Sequence, residues 1–474
     1  MDHPNDLGLV CLYQSHPHRT GDLYLSRALT ALLANPQTAN SQFAAGNPMN
    51  SRPYTITQLK VNGLLTMNWL KCRTNARLIS QLIIGGLLFF TISGCDNAPA
   101  SVSESKSMGA LLGQTKEGET TTSTLQAFAK VTPEHQFHFP QDHLAHNGFR
   151  QEWWYLTANL TTEKGEQLGA QWTQFRVALK PQYTESQNAQ PPTLKSAWAT
   201  EQLYFAHSAL TSSAAHLAHE KWSRGHPKLA GVNANPYQIH LDNWQWQSES
   251  SALFPAILRV ETADFSYALT LTSQAPLQYQ GDNGYSIKNR EGNVASYYYS
   301  QPFISITGQI TRHININGQA ESRVEKVTGQ GWLDREWSSQ FLTKSQQGWD
   351  WFALRLNDGS ALMLFQLREQ STDKSQTPLA FYSARRMFAD GTGRNINSRD
   401  TPDGIKMTPL EWQTTRTGKY PVSWQVQIPS EQIDIRISPL NPNSAMALST
   451  SYWEGPIKLS GSHTGMGYME LTGY

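Results

Sequence analysis

Residues 148–160, GFRQEWWYLTANL, carry the pattern that decides the fold. Side chains along a β-strand point alternately to the two faces of a sheet, so that every second residue shares a face. The stretch therefore predicts a strand with Trp153, Tyr155 and Thr157 on one face and Trp154, Leu156, Ala158 and Leu160 on the other. The strand also begins with a charged residue, Glu152, directly beside two Trp residues. The charge at this place needs a physical reason.

Two interpretations of Glu152 stay open at the sequence level. In the first, Glu152 binds an Arg at the point where strands leave the core, with Arg150 or Arg224 as its partner, and EWWY closes the end of a barrel. In the second, Glu152 lines a ligand pocket at a barrel junction, together with Trp153 and Trp154.

Short alternating segments continue along the rest of the chain. LGAQWTQFRVAL, YQIHLDNWQWQ, FSYALTLTS and QIDIRISPL are rich in β-branched and aromatic residues and end at turn residues. Asn-Asp-Gly at residues 357–359 predicts a hairpin turn. One segment, SSAAHLAHEKW at residues 212–222, is predicted to be helical. The whole pattern predicts an all-β protein made of antiparallel sandwiches or barrels.

The two halves of this region resemble each other. Each half opens with Trp and acidic residues on its first strand, EWWY in one and WLDREW in the other. Near its end, each half has a Tyr followed four positions later by a Pro, at Tyr298 and at Tyr452. The similarity predicts two consecutive β-barrel domains, over residues 135–322 and 323–474.

The residues before the domains have the layout of a bacterial lipoprotein leader. An apolar run over residues 78–92 follows basic residues and ends in ISGC at Cys95. ISGC resembles the lipobox, in which the Cys becomes the lipidated first residue. We predict an upstream extension over residues 1–66 that is not native, a signal peptide over 67–94, lipidation at Cys95 and a flexible tether over 95–134. These features predict a lipid-anchored protein on the periplasmic side of the bacterial cell envelope, and Asp96 favours the inner membrane.

The composition limits the classes of molecule that the protein is expected to bind. The formal net charge is +1 and no stripe of Lys and Arg is present, which argues against nucleic acid. Cys11 and Cys72 lie upstream of Cys95, so the mature chain has a single Cys and no internal disulfide. The many Trp residues fit either filled cores or an aromatic pocket for a hydrophobic small molecule.

Long, ordered motifs resemble one known family. They are FPQDHLAHNGFRQEWWYLTANL, YFAHSAL, RGHPKLAG, GWLDREWSSQ, GWDWFALRLNDGSALMLFQLR and GYMELTGY. Together they resemble the carotenoid 1,2-hydratases (hydroxyneurosporene synthases) and their secreted relatives, often called predicted secreted hydrolases. The resemblance covers roughly residues 135–474. It implies two consecutive lipocalin-like antiparallel β-barrel domains, and some relatives are described as secreted components of ABC transport systems.

The motif WLDREW carries the candidate chemistry. Asp334 and Glu336 are two positions apart and share a strand face with Trp332. A carboxylic acid buried among Trp residues acquires a raised pKa and can protonate an alkene, while Trp faces stabilise a carbocation. The resemblance implies that Asp334 is the proton donor. The alternative is a structural ion pair, formed with Arg335 or with a neighbouring strand.

Other candidate residues are less specific. The segment SYYYSQPF, with Tyr298, stands where the hydratases have His and Trp residues, which puts carotenoid hydration itself in doubt. His207 lies in an apolar strand and is either a cavity residue or a satisfied core histidine. Two clusters contain residue types that bind metals, but the sequence does not fix a complete set of ligands at either one. The clusters are Asp142, His143 and His146, and His216, His219 and Glu220. We expect no metal and no cofactor, and no nucleophile–base pair of a hydrolase is recognisable.

Two functions remain. The first is a carrier that binds a lipid-like or isoprenoid-like ligand at the membrane surface for a partner such as an ABC transporter. The second is a cofactor-free hydratase or lyase in which Asp334 is the acid and Glu336 lies beside it. In both, the ligand contacts residues from the set Glu152, Trp153, Trp154, His207, Tyr298 and Trp332.

Overall fold

The computed structural model describes residues 106–107, 128–181, 199–316, 319–370, 380–401 and 404–474. The described residues belong to one compact unit. The predicted leader and Cys95 lie outside the described residues. Within the described ranges, no helix is both long enough and apolar enough to cross a membrane. The only helical elements there are two 3-10 turns, Gln141–His143 and Pro429–Glu431.

A short strand and a first sheet make up the first part of the described chain. The strands are β1 (Lys106–Ser107), β2 (Gln151–Thr162), β3 (Gln167–Ala178), β4 (Gln202–Ser212), β5 (His216–Arg224), β6 (Ala230–Ala234), β7 (Tyr237–Leu241), β8 (Trp244–Ser248), β9 (Ala256–Glu261), β10 (Phe265–Thr272), β11 (Gln278–Tyr279), β12 (Tyr285–Ile287), β13 (Ala295–Ile316) and β14 (Gln319–Ser338). The sheet order is β5-β4-β3-β2-β14-β13-β10-β9-β8-β7-β6, with β11 and β12 also paired to β13. Because β4 and β5 also contact β7, the sheet curls into a barrel.

A second sheet follows. Its strands are β15 (Gln346–Leu356), β16 (Ala361–Glu369), β17 (Ala380–Met387), β18 (Gly393–Asn397), β19 (Lys406–Thr414), β20 (Lys419–Ile428), β21 (Ile433–Pro439), β22 (Ala445–Ala447), β23 (Thr450–Gly461) and β24 (Gly465–Leu471). Their order is β18-β17-β16-β15-β24-β23-β21-β20-β19, with β22 and the parallel strand β1 added to β23. This sheet forms a half-barrel, so the all-β, lipocalin-like prediction is confirmed.

The alternation of β2 separates two environments, as the sequence predicted. Trp154 and Leu156 point into the core of the first barrel. Trp153 and Tyr155 point the other way and contact residues of the second sheet and its preceding loop. The strand that decides the fold therefore supplies both the barrel core and the surface on which the second sheet packs.

The structure differs from two of the interpretations made from the sequence. The predicted helix over residues 212–222 is wrong, because β4 ends at Ser212 and β5 runs through most of that segment. The sequence HLAHEKWSR of β5 does not alternate between apolar and polar residues, and most of the strand is half-buried, so its pattern does not distinguish a strand from a helix. The predicted domain boundary at residues 322–323 falls inside β14, and the chain passes from the first sheet to the second between Ser338 and Gln346.

A close approach of the two sheets at Gly169 gives a first prediction. A Cβ atom at Gly169 on β3 would lie 2.6 Å from Pro456 Cγ on β23 and would also meet the Tyr468 hydroxyl on β24. Such overpacking costs about 1–3 kcal/mol. We expect Gly169→Ala to lower the free energy of unfolding by about that amount, measured by denaturant titration.

The matched control is Gly231→Ala on β6. A Cβ atom there has His240 Cε1 at 3.6 Å as its nearest neighbour, an ordinary contact. We expect a change within about 0.5 kcal/mol. Equal effects of the two substitutions would show that the approach at Gly169 does not constrain the packing of the sheets.

Candidate functional site

A cavity lies between the two sheets and not inside either one. We call it the intersheet cavity. Its empty volume is about 700 Å³, including the space at its mouth. Aromatic residues make up most of its wall, which consists of Trp153, Tyr155, Thr173, Phe175, Lys288, Tyr298, Asp334, Glu336, Phe341, Leu342, Trp349, Trp351, Phe365, Leu367, Tyr452 and Glu470. A concave, mostly aromatic space with a few polar groups is typical of sites for small apolar ligands.

The register of β14 places both acids of WLDREW on the cavity wall. Asp334 lies opposite Tyr155 of β2 on one side and Ser300 of β13 on the other. Glu336 lies opposite Trp153 and Tyr298 in the same way. Because directly opposite residues share a sheet face, the acids and their aromatic neighbours all point toward the second sheet.

Among the described residues, Asp334 accepts three hydrogen bonds and forms no ion pair. Its carboxyl oxygens accept hydrogen bonds from the Tyr298 hydroxyl at 2.5 Å, from Ser300 Oγ at 2.5 Å and from Trp332 Nε1 at 2.7 Å. Burial raises the pKa of Asp334 to about 7, although these hydrogen bonds oppose the shift and the charge of Glu336 adds to it. The group can therefore give up or take a proton near neutral pH.

Glu336 has a different environment, although it is only two residues away. The Lys288 ammonium lies 2.6 Å from its carboxylate, and Ser296 also donates to it. Lys288 in turn lies over the rings of Tyr298 and Phe365, at 5.1 Å and 4.5 Å from their centroids. The structural ion pair that the sequence left open is thus found at Glu336, whereas Asp334 has only neutral donors.

Glu152 and Trp154 lie away from the cavity. Glu152 binds Arg176 and Arg335, and His146 donates its backbone N–H to it at 2.9 Å. The sequence suggested Arg150 or Arg224 as the partner of Glu152, and Arg335 as the ion-pair partner of the WLDREW acids. Both suggestions are wrong. Arg335 points to the opposite face of β14 from Asp334 and lies 4.0 Å over the Trp154 ring. The charge beside the two Trp residues is therefore compensated by two buried Arg side chains.

His207 lies behind the cavity wall. It is fully buried, and its Nδ1 lies 2.9 Å from the hydroxyl of Tyr452, a residue that lines the cavity. Burial lowers the pKa of His207 to about 4, so the ring is neutral at physiological pH. Trp332 also lies behind the wall, where it positions Asp334 through its indole N–H.

The histidine clusters singled out in the sequence have structural partners. His146 bonds to Asp142 at 3.2 Å and stacks on Trp337. His216 bonds to Thr211, and His219 to Asp264. Within the described ranges, no group of three or more potential ligands could hold a metal ion.

Several cavity residues escaped the sequence interpretation. They include Lys288, Trp349, Trp351, Tyr452 and Glu470, most of which come from the second sheet, and Glu454 lies beside them, where it accepts a hydrogen bond from the Tyr155 hydroxyl. Glu454 in YWEGPI and Glu470 in YMEL are acids in otherwise apolar strands. An acidic residue in an apolar strand is the signal that drew attention to WLDREW, and it could also have identified Glu454 and Glu470.

Comparison with known proteins places the chain in a family. The sequence profile of the AttH-like family matches residues 130–474. The chain belongs to the AttH-like family. A solved structure of a protein from Nitrosomonas europaea assigned as an AttH is 34% identical, with a TM-score of 0.60, and the alignment covers 73% of this chain and 100% of that one. The comparisons support this coarser assignment, and the finer resemblance to the carotenoid hydratases stays a prediction.

A second solved structure is more distant. Kievitone hydratase from Nectria haematococca is 14% identical, with a TM-score of 0.49, and the alignment covers 71% of this chain and 92% of that one. At that distance the likeness supports no conclusion about this AttH-like chain. A search of curated proteins found no match.

Proposed function

We propose that the protein binds an apolar, unsaturated molecule in the intersheet cavity and catalyses the addition or removal of water at a carbon–carbon double bond. Asp334 is the acid in this reaction, and no cofactor takes part. The observation that carries the proposal is a buried carboxyl group in an aromatic wall, held only by neutral donors, with a pKa of about 7.

The environment of Asp334 suits proton transfer to carbon. Burial keeps a share of the Asp334 carboxyl protonated near neutral pH, and general acids work best when their pKa lies near the operating pH. When Asp334 becomes a carboxylate, the hydroxyls of Tyr298 and Ser300 and the Trp332 indole N–H already point at its oxygens. The charge left on the acid is therefore stabilised without rearrangement.

The aromatic wall supports the other half of the reaction. Protonation of an alkene leaves a carbocation, and ring faces attract a nearby cation through their negative quadrupole. Trp153 and Trp351 line the same cavity as Asp334, and Trp351 Nε1 donates to the Tyr298 hydroxyl at 3.1 Å. Lys288 is a cation in the same cavity, but its pairing with Glu336 offsets its charge.

A carrier of a hydrophobic ligand is the second candidate. The observation in its favour is the aromatic cavity itself, which can hold a ligand without reacting with it. Under either function, we propose that a lipid at Cys95 holds the protein at the periplasmic face of the membrane. An ABC transporter is the partner that the carrier function requires.

Native mass spectrometry of the full chain purified from its own host, followed by organic extraction, tests this proposal. A stoichiometric apolar molecule with a double bond or a tertiary alcohol is the expected result. A saturated lipid in full occupancy would favour the carrier. A chain that carries no molecule, and that hydrates neither myrcene nor squalene, would overturn both functions.

A further inference from the structure

The other acids in and beside the intersheet cavity do not supply the base that the proposed hydration needs. Burial raises the pKa of Glu470 to about 8 and the pKa of Glu454 well above its usual value, so both carry a proton at neutral pH. Glu336 is already bound to the Lys288 ammonium. The hydroxyl of Tyr452, in contrast, lines the cavity and contacts a basic ring nitrogen directly behind the wall.

That nitrogen belongs to His207, which the strand register places between the cavity wall and the protein surface. His207 of β4 lies opposite Thr173 of β3, a residue of the wall, and opposite Glu220 of β5 on its other side. Directly opposite residues share a sheet face, so the three side chains form a row. The Glu220 side chain is 25% exposed, whereas His207 is fully buried. The imidazole ring is therefore sealed from solvent between a wall residue and a carboxylate near the surface.

The two ring nitrogens of His207 face groups of different chemistry. Nδ1 lies 2.9 Å from the Tyr452 hydroxyl, while Nε2 lies 3.9 Å from Glu220 Oε2 and has no hydrogen-bond partner among the described residues. The Ser449 backbone N–H, at 3.1 Å, and the Ser449 hydroxyl hold the Glu220 carboxylate in place. Because a carboxylate attracts a ring N–H, the proton of the neutral ring belongs on Nε2. Nδ1 is then free to accept a hydrogen bond from Tyr452.

The charges around His207 allow the ring to take up a proton during the reaction. Burial lowers the pKa of His207 to about 4, and the charge of Glu220 opposes this shift. The ring is therefore neutral at physiological pH. Burial raises the pKa of Tyr452 well above its ordinary value, so the phenol passes a proton on and does not keep a negative charge. A water bonded to a carbocation is a far stronger acid than free water, so a weak base is sufficient.

We propose that Tyr452 is a second catalytic residue, whose hydroxyl takes a proton from the attacking water while it passes its own proton to His207. Glu220 stabilises the imidazolium that forms. The inference rests on the proposed hydration reaction and deepens it, since it assigns the acid to the first sheet and the group that activates water to the second. The substrate class it implies is an apolar alkene whose reacting carbons lie between Asp334 and Tyr452.

The steps balance without a further reactant. Asp334 transfers its proton to one alkene carbon, which forms a C–H bond and leaves a carbocation and the Asp334 carboxylate. The oxygen of a water molecule bonds to the cationic carbon and gives one proton to the Tyr452 oxygen, while the Tyr452 hydroxyl proton moves to His207 Nδ1. The product is a neutral alcohol. After it leaves, the proton returns from Nδ1 to Tyr452, and Tyr452 gives one through water in the cavity to Asp334, so that a single water is consumed.

The protonation of His207 tests this relay without any substrate. Two-dimensional proton–nitrogen magnetic resonance spectra of the full chain with labelled His are recorded at neutral pH for wild type and Tyr452→Phe. The signals that shift when the hydroxyl is removed identify His207, whose Nδ1 loses its partner. We expect a neutral ring with its proton on Nε2. A proton on Nδ1, or a charged ring, would overturn the inference, because Nδ1 could then accept no proton from Tyr452.

A kinetic arm separates this inference from the proposed function. Incorporation of oxygen from isotopically labelled water into myrcene or squalene is measured for wild type, Tyr452→Phe and Tyr382→Phe, a half-buried control on β17. We expect Tyr452→Phe to lose about 10²–10⁴-fold in kcat with KM unchanged, while Tyr382→Phe keeps the wild-type rate. Turnover by Tyr452→Phe at the wild-type rate would overturn the inference and leave Asp334 as the acid. No turnover by wild type would overturn the proposed function and, with it, the role of Tyr452.

Discussion

Replacing Asp334 with Asn is expected to abolish hydration and to leave ligand binding intact. Asn has nearly the same shape and can still hydrogen-bond to Tyr298, Ser300 and Trp332, but it has no proton to give to carbon. General acids contribute about 10²–10⁴-fold to rate, so we expect a loss of that size. The rate is measured as alcohol formed from myrcene or squalene in isotopically labelled water. Binding of the neutral fluorescent probe N-phenylnaphthylamine reports whether the cavity is intact.

The stability of the Asn variant has a predictable sign. Asp334 has a folded pKa of about 7 against an ordinary value of 3.8, so the folded state binds the proton more tightly than the unfolded state. Its contribution to stability is present below the ordinary value and is lost as pH rises through the folded value. Asp334→Asn should therefore be at least as stable as wild type in mildly alkaline solution. A variant that keeps the wild-type rate, or one that loses probe binding because it unfolds, would contradict the role of acid.

Replacing Glu152 with Gln is expected to be the most destabilising conservative substitution in the first barrel. It leaves Arg176 and Arg335 buried with no carboxylate between them. Removing one partner of a buried ion pair typically costs about 3–5 kcal/mol, because an uncompensated charge remains. We expect a loss of that size in the free energy of unfolding, measured by denaturant titration. Glu411→Gln, which breaks an exposed pair with Arg436, is the control and should change stability by about 0.5 kcal/mol at most.

The pH dependence of stability adds an independent check on Glu152. Burial alone would raise its pKa, but the charge of Arg176, the hydrogen bond with His146 and the charge of Arg335 hold the pKa well below the ordinary value of 4.5. The stabilisation is fully present above that ordinary value and is lost as pH falls below it. The wild type should therefore lose stability in acid more steeply than Glu152→Gln. If wild type and Glu152→Gln lost stability equally steeply as pH falls, the result would contradict the ion pairs of Glu152 with Arg176 and Arg335.

The sequence alone predicts the features that depend on the alternation of residues along one strand. Alternation in β2 separated Trp154, which faces the barrel core, from Trp153, which faces the intersheet cavity. The same rule placed Asp334 and Glu336 on one face with Trp332. Alternation is a property of residues that are neighbours in the sequence, so it can be recognised without knowing which strands pair.

Partners across the fold depend on register and are not encoded locally. Glu152 pairs with Arg176 because β2 and β3 align those two positions. It pairs with Arg335 because β14 sets Arg335 opposite Trp154, the next residue on the same face of β2. The nearer Arg150 was the more obvious choice from sequence alone. Likewise, Glu454 and Glu470 meet only through the register of β23 and β24.

Edge strands remain ambiguous from sequence. β5 has half-buried polar residues along most of its length, so that a helix and a strand fit its pattern almost equally well. Pairing with β4, which is buried along most of its length, resolves the ambiguity because unpaired backbone groups beside a packed strand need partners. Tertiary context therefore determines the structure at this position.

The protonation state of Asp334 is the central claim, and it can be measured without a substrate. Infrared difference spectra of wild type against Asp334→Asn, recorded as a function of pH, isolate this one carboxyl group. The account predicts a protonated carboxyl in mildly acidic solution that ionises with a midpoint of about 7. An Asp334 that is already ionised down to its ordinary value of 3.8 would contradict the account, since such a group has no proton to donate at neutral pH.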